Sequence, residues 1–332
     1  MRMKKSRRLQ SALYGASLIS YTIHICAVED VSTLKKVERI LATIRHEWVD
    51  RVPKGEFYLE DGFVTKLLGL KENVQFKDRV EACELFGLDA LAFSPFSDRD
   101  VKVPAWDGFK QWRKETDFFI FAIIDGPFQG TAKLFSSFSE FLVAIAKRDP
   151  IILELAAKVV AANVQLGLDA LYLGANGLII ADDIAYQRRT FISPSHLREF
   201  FFPSLMDQVG LLLAQKSPIF FHADGNIIPV LADIIASGIN GIHSLDFSSL
   251  EDIAKVKKTA GNSLCLMGGY DLGWFSEENR TEKASELLAV ASVGGGYIFG
   301  SSAGILGSEL PVKQVTEVYQ YVSNLGNSHS SK

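Results

Sequence analysis

The stretch Ser217-Pro218-Ile219-Phe220-Phe221-His222-Ala223-Asp224-Gly225 is a short apolar run that polar residues follow directly. A continuous apolar run of this kind is typical of a strand in a parallel sheet that helices cover on both faces. In such sheets, side chains at the carboxyl ends of the strands face the opening in which ligands bind. The stretch therefore predicts an α/β fold with His222 and Asp224 at its binding edge.

A weak internal repeat supports the α/β class. Segments 85–93, 165–173 and 236–243 share the pattern of a helix end, a glycine and a short apolar strand. Glycine is favoured just after a helix because it readily adopts the left-handed conformation there. Each segment thus predicts a junction from a helix to the next strand, and their recurrence predicts repeated βα units within one domain.

Further apolar runs bring the predicted strand count to about eight, the number in a TIM barrel. They lie near Glu56 and at 118–124, 218–221, 264–267 and 296–299, and helical patterns lie between them at 138–147, 151–166, 194–214, 228–237, 249–259, 281–293 and 312–325. This alternation predicts a single-domain (β/α)8 TIM barrel over residues 34–328. The alternative is an open doubly wound sheet, although no GxGxxG follows the first strand to indicate a dinucleotide site.

Composition indicates a globular chain with a large core. Of the 332 residues, 48% are hydrophobic and 22% are charged, and the formal net charge of −4 disfavours a nucleic-acid partner. The cysteines Cys26, Cys83 and Cys265 are too widely spaced for a metal motif or a disulfide framework, which predicts a reducing, cytoplasmic location. After the N-terminal segment, no stretch is long and apolar enough to predict a membrane span.

Residues 1–33 are predicted to be an extension that precedes the domain. Basic residues crowd positions 2–8, and a mildly apolar run without acids follows at 12–27. This order is a pattern of signal peptides, although polar residues interrupt the apolar run. The segment is therefore either signal-like or the product of a mis-assigned start codon.

Polar side chains recur at the predicted strand ends. In chain order, these ends carry Glu56, Ser94, Asp125, Asp182 with Asp183, His222 with Asp224, Asp246, Gly268 with Gly269, and Ser301 with Ser302. Carboxylates at such an opening bind metals, orient a histidine, or act as acid and base. The expected catalytic residues are His222, Asp224 and Asp182, and the expected substrate- or cofactor-binding residues are Glu56, Asp125, Asp183, Ser301 and Ser302.

His222 and Asp224 are separated by one residue, so in an extended chain their side chains point the same way. They are a candidate metal-ligand pair, because zinc accepts both imidazole nitrogen and carboxylate oxygen. The alternative is a histidine that is hydrogen-bonded to the neighbouring carboxylate without a metal.

The other strand-end groups also have structural alternatives. Asp182-Asp183 is typical of a helix N-cap followed by a first-turn acid, and Asp125 is typical of a turn with the Gly126-Pro127 that follows it. Glu56 is alternatively a solvated strand-end acid. Ser301-Ser302 offers amides and hydroxyls that suit an anion, or it belongs to a plain glycine-serine loop.

Five motifs follow one another along the chain. They are Asp50-Arg51-Val52-Pro53, Asp125-Gly126-Pro127-Phe128, Phe191-Ile192-Ser193-Pro194, Phe221-His222-Ala223-Asp224-Gly225 and Met267-Gly268-Gly269-Tyr270-Asp271. Together they resemble the uroporphyrinogen decarboxylase superfamily, which also contains the methylcobamide:coenzyme M methyltransferases. The resemblance covers residues 34–325 and implies a (β/α)8 barrel.

Two departures narrow the activity that the resemblance implies. The decarboxylases carry an arginine-rich N-terminal motif and a Phe-Ser-Asp segment, whereas this chain lacks the arginines and reads Phe93-Ser94-Pro95. The methyltransferases hold zinc with one histidine and two cysteines. Here His222 is kept, but Asp224 and Ala303 stand at the cysteine positions, so harder oxygen chemistry replaces the soft thiolates.

The resemblance therefore implies a corrinoid-linked methyltransferase that acts on a small substrate. A corrinoid is expected as a substrate or as the cofactor of a partner protein, and a divalent metal such as zinc is expected at His222 and Asp224. The alternatives are a tetrapyrrole carboxy-lyase and a non-catalytic ligand-binding barrel. A homodimer is also expected, with no nucleic-acid or membrane partner.

Overall fold

Strands and helices alternate through the part of the chain that the computed structural model describes, which is residues 34–95, 106–247, 249–261 and 263–328. The predicted extension at 1–33, with Cys26, lies outside these residues. The strands are β1 (Tyr58–Leu59), β2 (Ala90–Phe93), β3 (Phe119–Asp125), β4 (Gly177–Ala181), β5 (Ala185–Tyr186), β6 (Arg189–Thr190), β7 (Ile219–His222), β8 (Gly241–Ser244), β9 (Cys265–Tyr270), β10 (Tyr297–Ser301) and β11 (Ile305–Leu306).

The helices occupy most of the segments between the strands. They are α1 (Lys36–Ile44), α2 (Asp61–Leu68), α3 (Phe76–Leu85), α4 (Asp107–Glu115), α5 (Pro127–Ala132), α6 (Phe138–Ala146), α7 (Ile151–Tyr172), α8 (Pro194–Phe200), α9 (Phe202–Leu213), α10 (Leu231–Ala236), α11 (Leu250–Ala260), α12 (Arg280–Ala291) and α13 (Val312–Ser328). Two 3₁₀ turns lie at Ile228–Val230 and Leu272–Ser276.

Seven strands form one sheet in the order β2-β3-β4-β7-β8-β9-β10, and every neighbouring pair is parallel. Helices separate the strands along the chain, as parallel connections require. The α/β class and the parallel sheet are thus confirmed.

The two edges of this sheet meet at residues 53–57. Gly55 N–H donates to the Phe299 carbonyl of β10 at 2.9 Å, and Ala92 N–H of β2 donates to the Phe57 carbonyl at 3.0 Å. Isolated parallel bridges join Lys54 to Phe299 and Gly55 to Ala90. The sheet is therefore curled on itself, and the predicted strand near Glu56 is present as these bridges and not as a regular strand.

An apolar cluster fills the inside of the curled sheet. Its buried members are Ile40, Phe57, Ala90, Ala92, Phe119, Phe121, Ile179, Phe220, Cys265, Met267 and Ile298. Ile40 comes from α1, which also packs Val37, Leu41 and Ile44 against this cluster. Helix α1 covers this cluster on one side. We call the end of the curled sheet at the carboxyl ends of its strands the mouth.

One of the three predicted helix-to-strand junctions is wrong. Gly87 and Gly238 follow α3 and α10 with φ of +60° and +87°, as predicted. Gly167 instead lies inside α7, which continues to Tyr172. A Cβ on Gly167 would lie 2.9 Å from the Leu212 side chain, so this glycine permits close helix packing. The strand that follows, β4, begins ten residues further on.

Helix α7 is long and apolar enough to cross a membrane by length and composition alone, which the sequence did not predict. Its residues contact α5, α9 and strand β3. Helix α7 therefore packs on the outside of the sheet. Helices that pack within a protein core can be as long and as apolar as membrane-spanning helices.

Candidate active site

The site is built on β7 and β8, whose terminal residues lie side by side at the mouth. His222 ends β7 and is in register with His243 of β8. Phe220 belongs to the inner apolar cluster, and side chains alternate along a strand, so His222 also faces inward. The strand thus delivers His222 to the mouth, as the sequence predicted.

His243 holds the ring of His222 from behind. The two Nδ1 atoms are 2.8 Å apart, and His243 is completely buried. Burial and the neighbouring His222 lower the pKa of His243 well below its usual value, so His243 is neutral at physiological pH. Because one Nδ1 must donate to the other, this hydrogen bond fixes the ring orientation and leaves Nε2 of His222 facing the mouth.

Two carboxylates converge on that nitrogen. Nε2 of His222 is 3.7 Å from Oδ1 of Asp183 and 4.0 Å from Oδ1 of Asp224, and ligand atoms of the three side chains all lie within 4.8 Å of one another. The backbone N–H of Asp224 donates to Oδ1 of Asp183 at 3.2 Å, which ties the two loops together. We call this cluster the Asp-His-Asp site.

The distances from His222 to the two acids match those around one divalent cation. Donor atoms that are each about 2.1 Å from an ion lie about 3 to 4.2 Å apart as the angle between them opens from 90° to 180°. The two distances from His222 fall within that range. A metal-ligating histidine usually has its other ring nitrogen held by a hydrogen bond, and His243 does this for His222.

The glycine after Asp224 shapes the loop that carries it. Gly225 has a φ of +80°, and a Cβ there would lie 2.3 Å from the backbone of Tyr186. The N–H of Asn226 donates to the Tyr186 carbonyl at 3.0 Å. The hairpin of β5 and β6 therefore packs against this loop, and only glycine fits the approach.

Further acids surround the site and give the mouth a negative electrostatic potential. The half-buried Asp246 has a raised pKa because burial and the neighbouring Asp224 carboxylate disfavour its charge. Asp271 also acts on it. Among the described residues, no lysine or arginine forms an ion pair with Asp183, Asp224, Asp246 or Asp271. Such a mouth favours cations over anions.

Asp182 points away from its neighbour Asp183. It is 2% exposed and accepts hydrogen bonds from the N–H groups of Gln129 (2.7 Å) and Phe128 (3.3 Å) in the first turn of α5. Burial raises its pKa to about 7, although these two bonds oppose the shift. The side chain thus caps α5, which precedes it in the chain, and no helix begins at Asp182, because strand β5 follows it. The predicted N-cap with Asp183 as a first-turn acid is therefore wrong, and the catalytic role of Asp182 stays a prediction.

Asp125 lies at the end of β3 and is paired with a cation. Both of its oxygens accept from the Nζ of Lys133, at 2.6 and 2.7 Å. Lys133 and Asp183 both line a cavity of about 430 Å³. The structure therefore places Asp125 beside the Asp-His-Asp site without joining it to the cluster.

Glu56 and Ser301 face the helix layer and not the mouth. Gly55 and Phe57 point to the inner cluster, so Glu56 points the other way. Its carboxyl accepts from Ser301 N–H at 2.5 Å, from Ser301 Oγ at 2.7 Å and from the hydroxyl of Tyr319 on α13. This arrangement overturns the alternative of a solvated strand-end acid, because Glu56 is fully buried. The expected role of Glu56 in binding substrate or cofactor stays a prediction.

The serine loop after β10 is also engaged within the protein. Ser301 Oγ accepts from Gly304 N–H at 3.0 Å while it donates to Glu56, and Ser302 N–H donates to the Tyr270 carbonyl at 2.9 Å. Both serines are buried. An anion-binding role for this loop stays a prediction.

Replacement of Glu56 by glutamine is expected to remove a pH dependence of stability. Burial raises the pKa of Glu56 from 4.5 to about 7, so the folded state retains a proton that the unfolded state has lost, and stability falls as pH rises from about 4.5 to 7. At pH 8, Glu56→Gln should be more stable than the wild type by on the order of 2–3 kcal/mol, and at pH 4.5 the difference should shrink towards zero.

Urea unfolding at pH 4.5, 6.5 and 8 measures this difference. Glu278→Gln, which changes an exposed acid, is the control and should match the wild type throughout. If Glu56→Gln is less stable than the wild type at pH 8, the protein favours the ionised carboxylate at this position and the prediction is wrong.

His243 was not among the predicted site residues, and Asp183 was predicted as a binding residue and not as a metal ligand. His243 stands two residues after Gly241, which faces inward, so alternation along the strand was the available signal. The predicted metal pair of His222 and Asp224 gains Asp183 as a third potential ligand.

The described cysteines take no part in the site. Cys83 lies on α3 and Cys265 inside the sheet, and both are buried. Burial raises the pKa of the Cys83 thiol to about 12 and raises that of Cys265 further still. Neither is a thiolate ligand at physiological pH.

The fold and this site define an α/β protein of the TIM-barrel-like kind with a candidate site at the carboxyl ends of parallel strands. The profile of the uroporphyrinogen decarboxylase (URO-D) family matches residues 106–325, which include the whole Asp-His-Asp site. The chain therefore belongs to the URO-D family.

Comparison of structures agrees with this assignment. A methyltransferase from Methanosarcina mazei is similar with a TM-score of 0.69 at 17% identity, over 88% of this chain and 99% of that one. At this identity the similarity shows a shared fold. No curated protein matches the sequence.

Two other solved structures are more distant. D-psicose 3-epimerase from Clostridium cellulolyticum H10 has a TM-score of 0.47 at 11% identity, over 77% of this chain and 94% of that one. A putative lyase/mutase from Burkholderia cenocepacia J2315 has a TM-score of 0.42 at 12% identity, over 81% and 82%. Neither similarity is close enough to bear on function.

Proposed function

We propose that this URO-D family member is a metal-dependent methyltransferase that moves a methyl group between a corrinoid and a small substrate. The observation that carries the proposal is the convergence of Asp183, His222 and Asp224 at the mouth. The similarity to a methyltransferase fold supports it. The corrinoid is either a free substrate or the cofactor of a partner protein.

The residues of the site have distinct roles in this proposal. Nε2 of His222 can offer a lone pair only if the ring carries its proton on Nδ1. In that tautomer, the Nδ1–H of His222 donates a hydrogen bond to Nδ1 of the neutral His243. Asp183 and Asp224 supply oxygens on the other sides. When bound, a divalent cation would act as a Lewis acid towards an oxygen or sulfur atom of the substrate.

Asp246 is placed to handle the proton. Its raised pKa means that its carboxyl group binds a proton more readily than an exposed aspartate. An acceptor O–H or S–H that gains a methyl group must lose its proton, and the Asp246 carboxylate lies close enough to interact with Asp224 and His222. We assign Asp246 as the proton acceptor.

The donor set favours hard or borderline metals. One imidazole nitrogen and two carboxylate oxygens suit zinc, manganese or cobalt better than they suit a thiophilic ion. The same acids oppose tetrapyrrole decarboxylation, because a substrate with many carboxylates needs cationic partners. In a non-catalytic ligand-binding barrel, the proton-accepting Asp246 would have no role.

The proposal includes a complete barrel. Residues 53–57 are assigned as the first of eight strands, since they hydrogen-bond to both β2 and β10. A cytoplasmic homodimer remains part of the proposal.

The test is turnover of a corrinoid by the purified, metal-loaded protein. Methylcob(III)alamin is incubated with a panel of thiols, alcohols and amines, and the corrinoid absorbance is followed beside His222→Ala. We expect demethylation with at least one acceptor in the wild type only. If the wild type does no more than His222→Ala, the proposal is wrong. Release of carbon dioxide from uroporphyrinogen would favour the carboxy-lyase instead.

A further inference from the structure

A cleft of about 830 Å³ lies between α2, α3, α4 and the ends of β1 and β2. Its inner wall includes Phe57, Ala92 and Ile123, which also pack on the inner apolar cluster. The ring centroid of Phe57 lies 5.6 Å from that of His222 and 4.4 Å from that of His243. Phe57 thus joins the wall of the cleft to the two histidines, and the volume of the cleft is in the range of about 300–1,000 Å³ that is typical of small-molecule sites.

The outer wall of the cleft is aromatic. The ring of Trp112 lies 5.0 Å from that of Phe76 and 5.6 Å from that of Phe93, at interplanar angles of 72° and 44°. With Phe57 and Tyr58, five aromatic residues line one cavity. Aromatic faces attract organic cations, and cages of such rings are the usual recognition device for alkylated ammonium groups.

The charged residues of the cleft leave one carboxylate in excess. Asp61 and Arg79 neutralise each other in a two-fold hydrogen-bonded pair at 2.8 and 2.7 Å. Glu60 is the remaining charged residue among the described lining residues. Its Oε2 accepts from Ser308 N–H (2.8 Å) and Ser308 Oγ (2.6 Å), and its Oε1 accepts from no described residue. The cleft therefore has a held carboxylate with a free oxygen, next to aromatic surface.

The mouth, like the cleft, has an excess of carboxylates. Asp183, Asp224, Asp246 and Asp271 lie at its edge, and a single divalent cation would balance only part of their charge. An anionic substrate would meet repulsion in both places, whereas a cationic one would be attracted in both.

We propose that this cleft receives the cationic end of the substrate, an alkylated ammonium or sulfonium group, while an oxygen or sulfur donor at the other end of the same molecule reaches the Asp-His-Asp site. The proposal names the substrate class for the proposed function, and it rests on that function only for the claim that the bound molecule is turned over. Binding itself depends on the cleft.

The test compares three probes of nearly equal shape. Choline carries the charge, 3,3-dimethylbutan-1-ol replaces its charged nitrogen with carbon, and 3,3-dimethylbutanoate is the anion. Their binding is measured by calorimetry or NMR titration on metal-stripped wild type and on His222→Ala, with no corrinoid present. We expect choline to bind about tenfold more tightly than the neutral alcohol, within the range of cation–aromatic attraction, and the anion to bind most weakly.

Two variants assign the preference to the cleft. Glu60→Gln keeps the bonds from Ser308 and should reduce the preference for choline at least about threefold, and Phe76→Leu, at a partly buried ring, should weaken choline about threefold while it spares the alcohol. Glu251→Gln, at an exposed acid of α11, is the matched control for the lost charge. Thermal unfolding checks that each variant is folded.

The outcomes separate this inference from the proposed function. If the alcohol or the anion binds as tightly as choline, or if choline does not bind, the inference is overturned even where methyl transfer is observed. If choline selectivity is present in the wild type and in His222→Ala while no corrinoid turns over, the cleft assignment stands and the proposed function fails.

Discussion

Affinity for divalent metal is expected to fall by more than about a hundredfold when His222 is replaced by alanine. Loss of a residue that merely orients a metal ligand already costs about 10- to 100-fold, and His222 provides the central donor of the Asp-His-Asp site. Asp183→Asn is expected to weaken binding too, because an amide oxygen replaces a charged carboxylate oxygen. Competition titration with a chromogenic chelator, for zinc, manganese and cobalt in turn, measures the affinity.

Asp182→Asn is the matched comparison for Asp183→Asn. The two acids are adjacent in sequence, but the oxygens of Asp182 are taken by the amides of Phe128 and Gln129. Metal affinity should therefore stay near that of the wild type in Asp182→Asn. Equal losses in both variants would mean that the cation depends on the charge of the whole loop and not on Asp183 as a ligand.

A large loss of stability is expected when Asp89 is replaced by alanine. Asp89 is completely buried and accepts from Arg39 at 2.6 Å, from Arg51 at 2.7 and 2.9 Å, and from Lys54 N–H at 3.0 Å. Its removal leaves the guanidinium of Arg39, only 3% exposed, with one fewer counter-charge. Removal of one partner from a buried ion pair costs about 3–5 kcal/mol.

Urea unfolding at pH 7 measures this loss. Glu154→Ala is the control, since it breaks an exposed ion pair with Lys158 on α7, and such pairs contribute about 0–1 kcal/mol. A loss in Asp89→Ala no larger than that of the control would contradict the assigned role of this cluster, which fastens α1 and the segment before residue 54 to β2.

The order of strands and helices was predictable because burial on both faces leaves a clear apolar run. The strand before His222 was predicted correctly and is present as β7. Gly167 misled the prediction, because a glycine that admits Leu212 has the same sequence signature as a glycine that ends a helix.

The site was only partly predictable. Side chains alternate between the two faces of a strand, and the sequence does not fix which residues face the mouth. Shifting the phase by one residue moves a side chain to the opposite face. Glu56 therefore faces Tyr319, while its neighbour Phe57 faces His222. The same one-residue difference separates the capping Asp182 from Asp183, and sequence alone does not fix it. Alternation along β8 places His243 on the inner face, but the register of β7 and β8, which sets it beside His222, is not fixed by the sequence.

The metal content of the protein is the most direct test of the Asp-His-Asp site. Wild type and the double variant Asp183→Asn/Asp224→Asn are equilibrated with zinc, manganese and cobalt, desalted, and analysed by inductively coupled plasma mass spectrometry. The geometry predicts about one ion per chain in the wild type, as expected for a single site of this kind, and none in the double variant. No bound metal in the wild type, or equal amounts in both proteins, would contradict it.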